Sequence, residues 1–156
     1  MIKKIVISLI ALVMIVVIGV SVFVNMSYEK DYSEDYPVSD LVVEADSARI
    51  AHGKYLALGP AHCSHCHAPM SEFATIEAGG EASLTGGFGL EIPPGTFYAP
   101  NITSDSESGI GQFTDGELYR MMRYNVNHNG QAVFDFMPFI NMADEDIYSI
   151  IAYLRS

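Results

Sequence analysis

The sequence predicts an all-α protein in which one membrane-spanning helix precedes a single helical domain. Residues Ile5 to Val24 are twenty nearly unbroken apolar positions. A helix of that length spans roughly 30 Å, about the thickness of the hydrocarbon core of a bilayer. Three later segments carry helix signals, at residues 47–58, 114–125 and 144–154. The stretch at 79–108 is rich in Gly and Pro, so we expect loops there, with room for a short hairpin.

The apolar run has charged residues on both sides. Lys3 and Lys4 precede it and acidic residues dominate the segment after it, so the positive-inside rule places the N-terminus in the cytoplasm and the rest outside. A cleaved signal peptide is the alternative, but its apolar region is usually about 7–15 residues long and ends in an Ala-x-Ala-like site. The run here is longer, and residues 19–27 contain no Ala. We therefore expect a retained anchor at residues 1–26.

The part of the chain after the anchor is strongly acidic. All 19 acidic residues lie there with six of the eight Lys and Arg, which makes a net charge of −13. This charge argues against nucleic acid as a partner, because its binders need basic patches. It suits either docking on a redox protein with a basic face or solubility alone. We expect residues 27–44 to be an acidic tether, whose flexible chain would reach on the order of 25 Å, and residues 45–156 to be the domain.

Capping signals define the ends of the predicted helices. The first helix begins at Asp46 or Ser47 and ends before Gly59. Thr114 and Glu117 form a capping box at the start of the second. The last helix carries one apolar stripe, formed by Ile147, Ile150, Ile151 and Leu154. These helices are short, so they need something large on which to pack.

The segment Cys63-Ser64-His65-Cys66-His67 matches Cys-x-x-Cys-His, the pattern by which haem is attached covalently. Each thiol adds across one vinyl group, and the adjacent histidine lies under the iron. We therefore expect one covalent haem c, with Cys63 and Cys66 as its thioethers and His67 as an axial iron ligand. In bacteria this attachment takes place outside the cytoplasmic membrane, which agrees with the topology predicted from the charges.

Other Cys-x-x-Cys chemistries fit less well. A thioredoxin-like redox pair lies at a helix start after a strand, and no strand is predicted before Cys63. A zinc site needs four ligands, whereas Cys63, Cys66 and His67 make three. The other histidines near the motif are given no ligand role; these are His52, His62 and His65.

The second axial ligand must come from the opposite face of the haem. A thioether sulfur suits a low-spin electron carrier and raises its potential relative to imidazole. Met137 lies in an irregular aromatic segment at residues 134–139, where Pro138 keeps the backbone extended and keeps Met137 out of a helix. The aromatic rings would keep water from the iron. Met137 is the predicted ligand, with Met142 and His128 as rivals.

With these segments in place, the chain resembles class I c-type cytochromes, and most closely the monohaem domains of membrane-associated cytochrome subunits of alcohol and gluconate dehydrogenases. The resemblance covers about residues 49–155 and implies the cytochrome c fold, with Gly/Pro-rich loops around one haem. Beside the haem motif it rests on Arg49 to Leu56, Leu84 to Gly87, Tyr98 to Asp105, Gly109 to Gly111, Met137 to Phe139, Asp144 to Ile147 and Ala152 to Leu154.

The resemblance also implies roles for single residues. Gly53 should let the first helix approach the last one near Tyr153, and Asn101 and Thr103 should hydrogen-bond a haem propionate. The chain departs from the family in two respects. The dehydrogenase subunits usually carry three haem domains, whereas this chain has one, and Ala143 stands where Ser or Thr often caps the last helix, at a cost of about 1 kcal/mol.

The sequence leaves three functions open. The leading one is a non-enzymatic shuttle that carries single electrons between respiratory redox partners at the outer, periplasmic face of the cytoplasmic membrane, with no small-molecule substrate. The second is a fixed cytochrome c subunit of a larger respiratory or dehydrogenase complex. The third is a haem enzyme or gas sensor with an open sixth position, which would bind carbon monoxide when reduced.

Overall fold

The structure is a computed structural model that describes residues 2–93, 95–137 and 139–156. Its α-helices are α1 (Ile2–Tyr28), α2 (Ser47–Leu58), α3 (Cys63–His67), α4 (Phe73–Glu77), α5 (Asp115–Tyr124) and α6 (Asp144–Arg155). A 3₁₀ turn, Met70–Glu72, joins α3 to α4, and strands β1 (Gly89–Ile92) and β2 (Gly95–Tyr98) pair as an antiparallel hairpin. The all-α expectation is therefore corrected to a mostly helical protein with a small sheet. Cross-strand pairs such as Leu90–Phe97 stabilise extended chain in the Gly/Pro-rich stretch.

Helix α1 is exposed along its whole length. Among the described residues it is the one helix that is long and apolar enough to cross a membrane. A signal sequence near an N-terminus can pass the same test of length and composition, so the retained anchor and its topology remain predictions.

The core of the domain lies where α2 crosses α6, with α5 packed beside them. Its buried side chains include Leu56, Leu118, Met122, Ile147, Ile150 and Ile151, and Cys63 belongs to the same cluster. The crossing is very close at Gly53, where an added Cβ would lie 1.7 Å from the Ser149 carbonyl oxygen and 2.9 Å from the Tyr153 Cβ. The expected close approach of the first and last helices near Tyr153 is confirmed.

The predicted helix starts are confirmed, and two of the three have side-chain caps. The Asp46 side chain accepts a hydrogen bond from the Arg49 backbone N–H at 2.7 Å. Thr114 and Glu117 form both bonds of the capping box. Helix α6 begins after Ala143, whose side chain makes no capping bond.

The segment at residues 31–43, which we call the strap, lies against the domain. The Tyr32 backbone N–H donates to the Gly130 carbonyl at 2.7 Å, and the Tyr36 ring contacts the Tyr124 ring at a centroid distance of 4.9 Å. The Arg120 guanidinium donates to the Tyr36 carbonyl at 3.3 Å. A flexible tether would make no such contacts.

The second half of the strap lies along α5. The Val43 backbone N–H donates to the Asp115 carboxylate at 2.8 Å. Gly116 faces the strap so closely that an added Cβ would lie 2.0 Å from the Ser39 carbonyl oxygen. Only Glu29 and Lys30 separate α1 from the strap, and two extended residues span about 7 Å. The reach of about 25 Å expected for free chain is thus replaced by a short link.

Candidate functional site

Helix α3 begins directly after a residue in the left-handed region. His62 has φ 53° and ψ 27°, which is unusual for a residue with a Cβ, and it turns the chain from the end of α2 into α3. Cys63, Cys66 and His67 then occupy positions i, i+3 and i+4 of one helical turn, so their side chains share a face. The structure therefore brings the three predicted haem-attachment residues together.

The two cysteines are free thiols in different surroundings. Cys63 is buried in the core cluster and Cys66 is exposed. Burial raises the pKa of the Cys63 thiol to about 11. A redox-active Cys-x-x-Cys pair depends on a lowered thiol pKa, which favours the nucleophilic thiolate. Helix α3 also follows a helix and not a strand. Both observations disfavour the thioredoxin-like alternative.

The His67 imidazole is buried and oriented by a single backbone group. Its Nδ1 lies 2.9 Å from the Pro100 carbonyl oxygen. Because a carbonyl only accepts, Nδ1 carries the proton and Nε2 keeps its lone pair. Burial lowers the pKa of His67 and so favours the neutral ring, although the bond to Pro100 opposes this shift. A neutral imidazole with a free, oriented Nε2 is the form that binds a metal.

The loop that contains Gly86 and Gly87 packs against the loop that contains Pro100 and holds its carbonyl in place. The Gly86 backbone N–H donates to the His67 carbonyl at 2.7 Å, and the Gly87 N–H donates to the Ala99 carbonyl at 3.0 Å. Gly86 has φ 78°, and a Cβ there would lie 2.6 Å from the Pro100 carbonyl carbon. Sequence reasoning marked both loops by resemblance but missed the Pro100 carbonyl, because a backbone acceptor has no residue-type signature.

Asn101 and Thr103 lie immediately after this carbonyl. The Asn101 side-chain oxygen accepts from the Thr103 backbone N–H at 2.9 Å and from its hydroxyl at 2.8 Å. The Asn101 amide donates to the Ser108 hydroxyl at 3.0 Å. These bonds shape the loop that follows Pro100, whose carbonyl accepts the hydrogen bond from His67. The contact of Asn101 and Thr103 with a haem propionate stays a prediction.

Met137 is half-buried and packs against the core cluster that contains Cys63. Met142 also packs against this cluster, whereas His128 is exposed and stacks on Phe113 with ring centroids 4.4 Å apart. The two methionines therefore both remain candidates on this geometry. Pro138, which the sequence predicts to keep the backbone extended, lies outside the described residues.

An apolar surface lies next to Met137. The rings of Phe97, Phe134 and Phe136 contact one another at centroid distances of 5.2–5.7 Å. Phe134 is 62% exposed and Phe136 47% exposed. Hairpin strand β2 and the segment before Met137 thus present partly exposed aromatic rings side by side.

Several cytochrome subunits of dehydrogenases are similar to this chain in sequence. No protein-family model matches the chain. The chain is 33% identical over 118 residues to the cytochrome c subunit of a quinone-dependent alcohol dehydrogenase from Gluconacetobacter polyoxogenes, covering 69% of this chain and 24% of that subunit. It is 31% identical over 113 residues to the gluconate 2-dehydrogenase cytochrome c subunit of Pantoea cypripedii, covering 70% and 23%. It is 30% identical over 123 residues to the fructose dehydrogenase cytochrome subunit of Gluconobacter japonicus, covering 77% and 24%.

Over 69–77% of its length, the chain is similar to cytochrome c subunits of dehydrogenases. It spans about a quarter of the length of these relatives. Cytochrome c homology implies haem c as the cofactor, and the residues of this chain fit it. Two free thiols and an oriented imidazole share one helical turn, and aromatic rings and a half-buried thioether lie elsewhere on the domain. The homologues are electron-transfer subunits of dehydrogenases, so an electron-transfer role is indicated for the family.

Proposed function

We propose that this chain is a membrane-anchored cytochrome c with one covalent haem, which carries single electrons between respiratory redox partners on the periplasmic face of the cytoplasmic membrane. The observation that carries the proposal is the His67 imidazole on the same helical turn as Cys63 and Cys66: its Nδ1 donates to Pro100, and its Nε2 makes no hydrogen bond to any described residue. In this proposal residues 1–26 are the anchor, 27–44 the connecting segment and 45–156 the haem domain.

The attachment side of the haem would be held by α3. Haem iron supplies a centre that gains and loses one electron. Cys63 and Cys66 would bind the ring as thioethers, and His67 would bind the iron through Nε2. The bond from His67 to Pro100 keeps the imidazole from rotating and raises its basicity as a ligand. A rigid ligand set needs little rearrangement between oxidation states, which suits electron transfer.

The opposite side would be closed by Met137. With the Met137 thioether bound, the iron would have no open coordination site for a substrate, so the proposed role is transfer and not catalysis. Asn101 and Thr103 would hydrogen-bond a propionate at the edge of the ring. The net charge of −13 after the anchor would favour a partner with a basic docking face.

The experiment is an optical spectrum of the oxidised and reduced protein, with and without carbon monoxide. We expect a covalent c-type haem, a far-red methionine–iron band in the oxidised form, and little carbon monoxide binding in the reduced form. Met137→Ala should lose the far-red band and bind carbon monoxide. Met142→Ala is the matched control, because it removes the rival thioether, and it should keep the band. A protein without covalent haem would refute the proposal. Loss of the far-red band in Met142→Ala but not in Met137→Ala would make Met142 the iron ligand instead.

A fixed subunit of a larger complex is the second candidate, and the strap favours it. Strap contacts with Gly130, Arg120 and Asp115 leave only two residues of free chain after α1. A domain held so close to its anchor reaches partners that lie beside it in the same membrane. Purification in mild detergent separates the two candidates, because a fixed subunit copurifies with stoichiometric partners and a shuttle elutes alone.

A further inference from the structure

Arg123 on α5 uses every N–H group of its guanidinium. The side chain is only 14% exposed. Its Nε donates to the Tyr119 hydroxyl at 3.3 Å, one Nη donates to the carbonyls of Ile140 at 2.6 Å and Phe139 at 3.5 Å, and the other donates to the Met142 carbonyl at 2.7 Å and to the Asp144 carboxylate. A guanidinium has five such donors, so each of them has an acceptor.

Three of these acceptors are backbone carbonyls in the segment that directly follows Met137. Phe139, Ile140 and Met142 lie between Met137 and the start of α6, in chain without regular helix or strand. Backbone bonds within the segment are few and local, such as the one from the Phe139 N–H to the Met137 carbonyl at 2.8 Å. Segments of this kind unfold locally at a low cost in free energy unless hydrogen bonds or packing hold them in place.

The remaining acceptors tie the same guanidinium to α6. Asp144 is the first residue of α6, and its carboxylate accepts from both Arg123 and the Tyr119 hydroxyl, the latter at 2.7 Å. These bonds hold the pKa of Asp144 below its usual value. Ala143 makes no side-chain cap, and this network joins the first residue of α6 to α5. Arg123 and Asp144 are both charged, and a hydrogen bond between charged groups is stronger than one between neutral groups.

We propose that Arg123 is a positioning residue that holds the Met137 segment in the conformation needed for methionine to bind haem iron. The inference rests on the proposed function. A neutral thioether is a weak ligand, so its occupancy depends on how well the protein pre-organises the loop that carries it. Arg123 lies on a helix and donates hydrogen bonds to three backbone carbonyls, all within five residues of Met137 in the sequence. These bonds supply that organisation.

Arg120 provides a matched control on the same helix. The whole residue is deeply buried, at 3% exposure, and its guanidinium donates to the Tyr36 carbonyl at 3.3 Å and to the Asn127 carbonyl at 2.6 Å. Those carbonyls belong to the strap and to the turn after α5, and not to residues 139–142. Replacing either arginine removes a largely buried cation from α5, but of the two only Arg123 donates hydrogen bonds to the described residues after Met137.

The test compares Arg123→Gln with Arg120→Gln in the full-length, haem-loaded protein in detergent. Carbon monoxide binds reduced iron only where Met137 is displaced, so its apparent affinity scales with the displaced fraction. We expect Arg123→Gln to keep the covalent haem, to weaken the far-red methionine–iron band, and to bind carbon monoxide at least about tenfold more tightly than wild type. Arg120→Gln should lower the melting temperature but keep the band and the low affinity for carbon monoxide.

The outcomes separate this inference from the proposed function. A wild-type protein without a methionine–iron band overturns the ligand assignment, and the inference with it. A normal band in both wild type and Arg123→Gln overturns the inference alone, as does an equal effect of the two arginine variants. If Arg123→Gln fails to incorporate haem, Tyr119→Phe replaces it, because the lost hydroxyl contacts both Arg123 and Asp144. It should raise the carbon monoxide affinity in the same direction, and an unchanged affinity overturns the inference.

Discussion

Substitution of Gly53 by Ala tests the close crossing of α2 and α6 on which the domain is built. The new Cβ would lie 1.7 Å from the Ser149 carbonyl oxygen and 2.9 Å from the Tyr153 Cβ. Ordinary contacts between such atoms are about 3.5 Å, so the helices must separate by up to about 2 Å. The Ser149 carbonyl cannot move alone, because it belongs to a helix whose Ile147, Ile150 and Ile151 side chains are fully buried.

The sign of the effect depends on two opposing contributions. Overpacking a core of this kind costs about 3 kcal/mol, whereas Ala in place of Gly stabilises a helix interior by about 1 kcal/mol. We therefore expect Gly53→Ala to lower the free energy of unfolding by about 2 kcal/mol. For a domain of this size that corresponds to a melting temperature lower by about 8 °C.

The assay is thermal unfolding of the full chain in detergent, followed by far-ultraviolet circular dichroism. Gly95→Ala is the matched control, since no described atom outside its chain neighbours lies within 4 Å of the added Cβ. We expect its free energy of unfolding to stay within about 0.5 kcal/mol of wild type. If Gly53→Ala were as stable as Gly95→Ala, the helices would not cross as closely as described.

Three further predictions concern the strap, a helix cap and a loop. Gly116→Ala should displace the strap, because the new Cβ would lie 2.0 Å from the Ser39 carbonyl oxygen, even though alanine raises the helix propensity of α5. Limited proteolysis should then cleave residues 31–43 faster than in wild type. Unchanged cleavage would show that the strap is not packed against Gly116. Thr114→Ala removes the N-cap of α5 and should lower the free energy of unfolding by about 1 kcal/mol in urea titration, whereas no loss would contradict the capping box. Hydrogen bonds from the Ser108 backbone and hydroxyl hold the pKa of Asp105 below its usual 3.8. A lowered pKa stabilises the fold above the unfolded value and loses this effect as the pH falls through the folded value. Asp105→Ala should therefore be less stable than wild type at neutral pH, with a difference that narrows below about pH 4 in acid titration; a constant difference would refute this cause.

Local signals in the sequence determined several features of this protein. Asp46 and the Thr114–Glu117 box define helix starts because capping involves residues only three positions apart. The apolar run predicted α1, and the Cys-x-x-Cys-His spacing placed its residues on one face, since helical periodicity alone determines that. The resemblance predicted that the first and last helices approach closely at Gly53, and the structure confirmed this crossing.

Only the tertiary structure decided the contacts between distant parts of the chain. The Pro100 carbonyl that orients His67, the strap on α5, and the carbonyls that accept from Arg123 all pair groups far apart in sequence. Many of these partners are backbone atoms, which every residue possesses, so no residue type reveals them. The acidic composition of residues 27–44 indicated free chain, yet packing against Gly116 and Arg120 holds much of that segment on the domain. Charge and composition report what a segment can do in water, but its place in a fold depends on which surfaces the rest of the chain brings within reach.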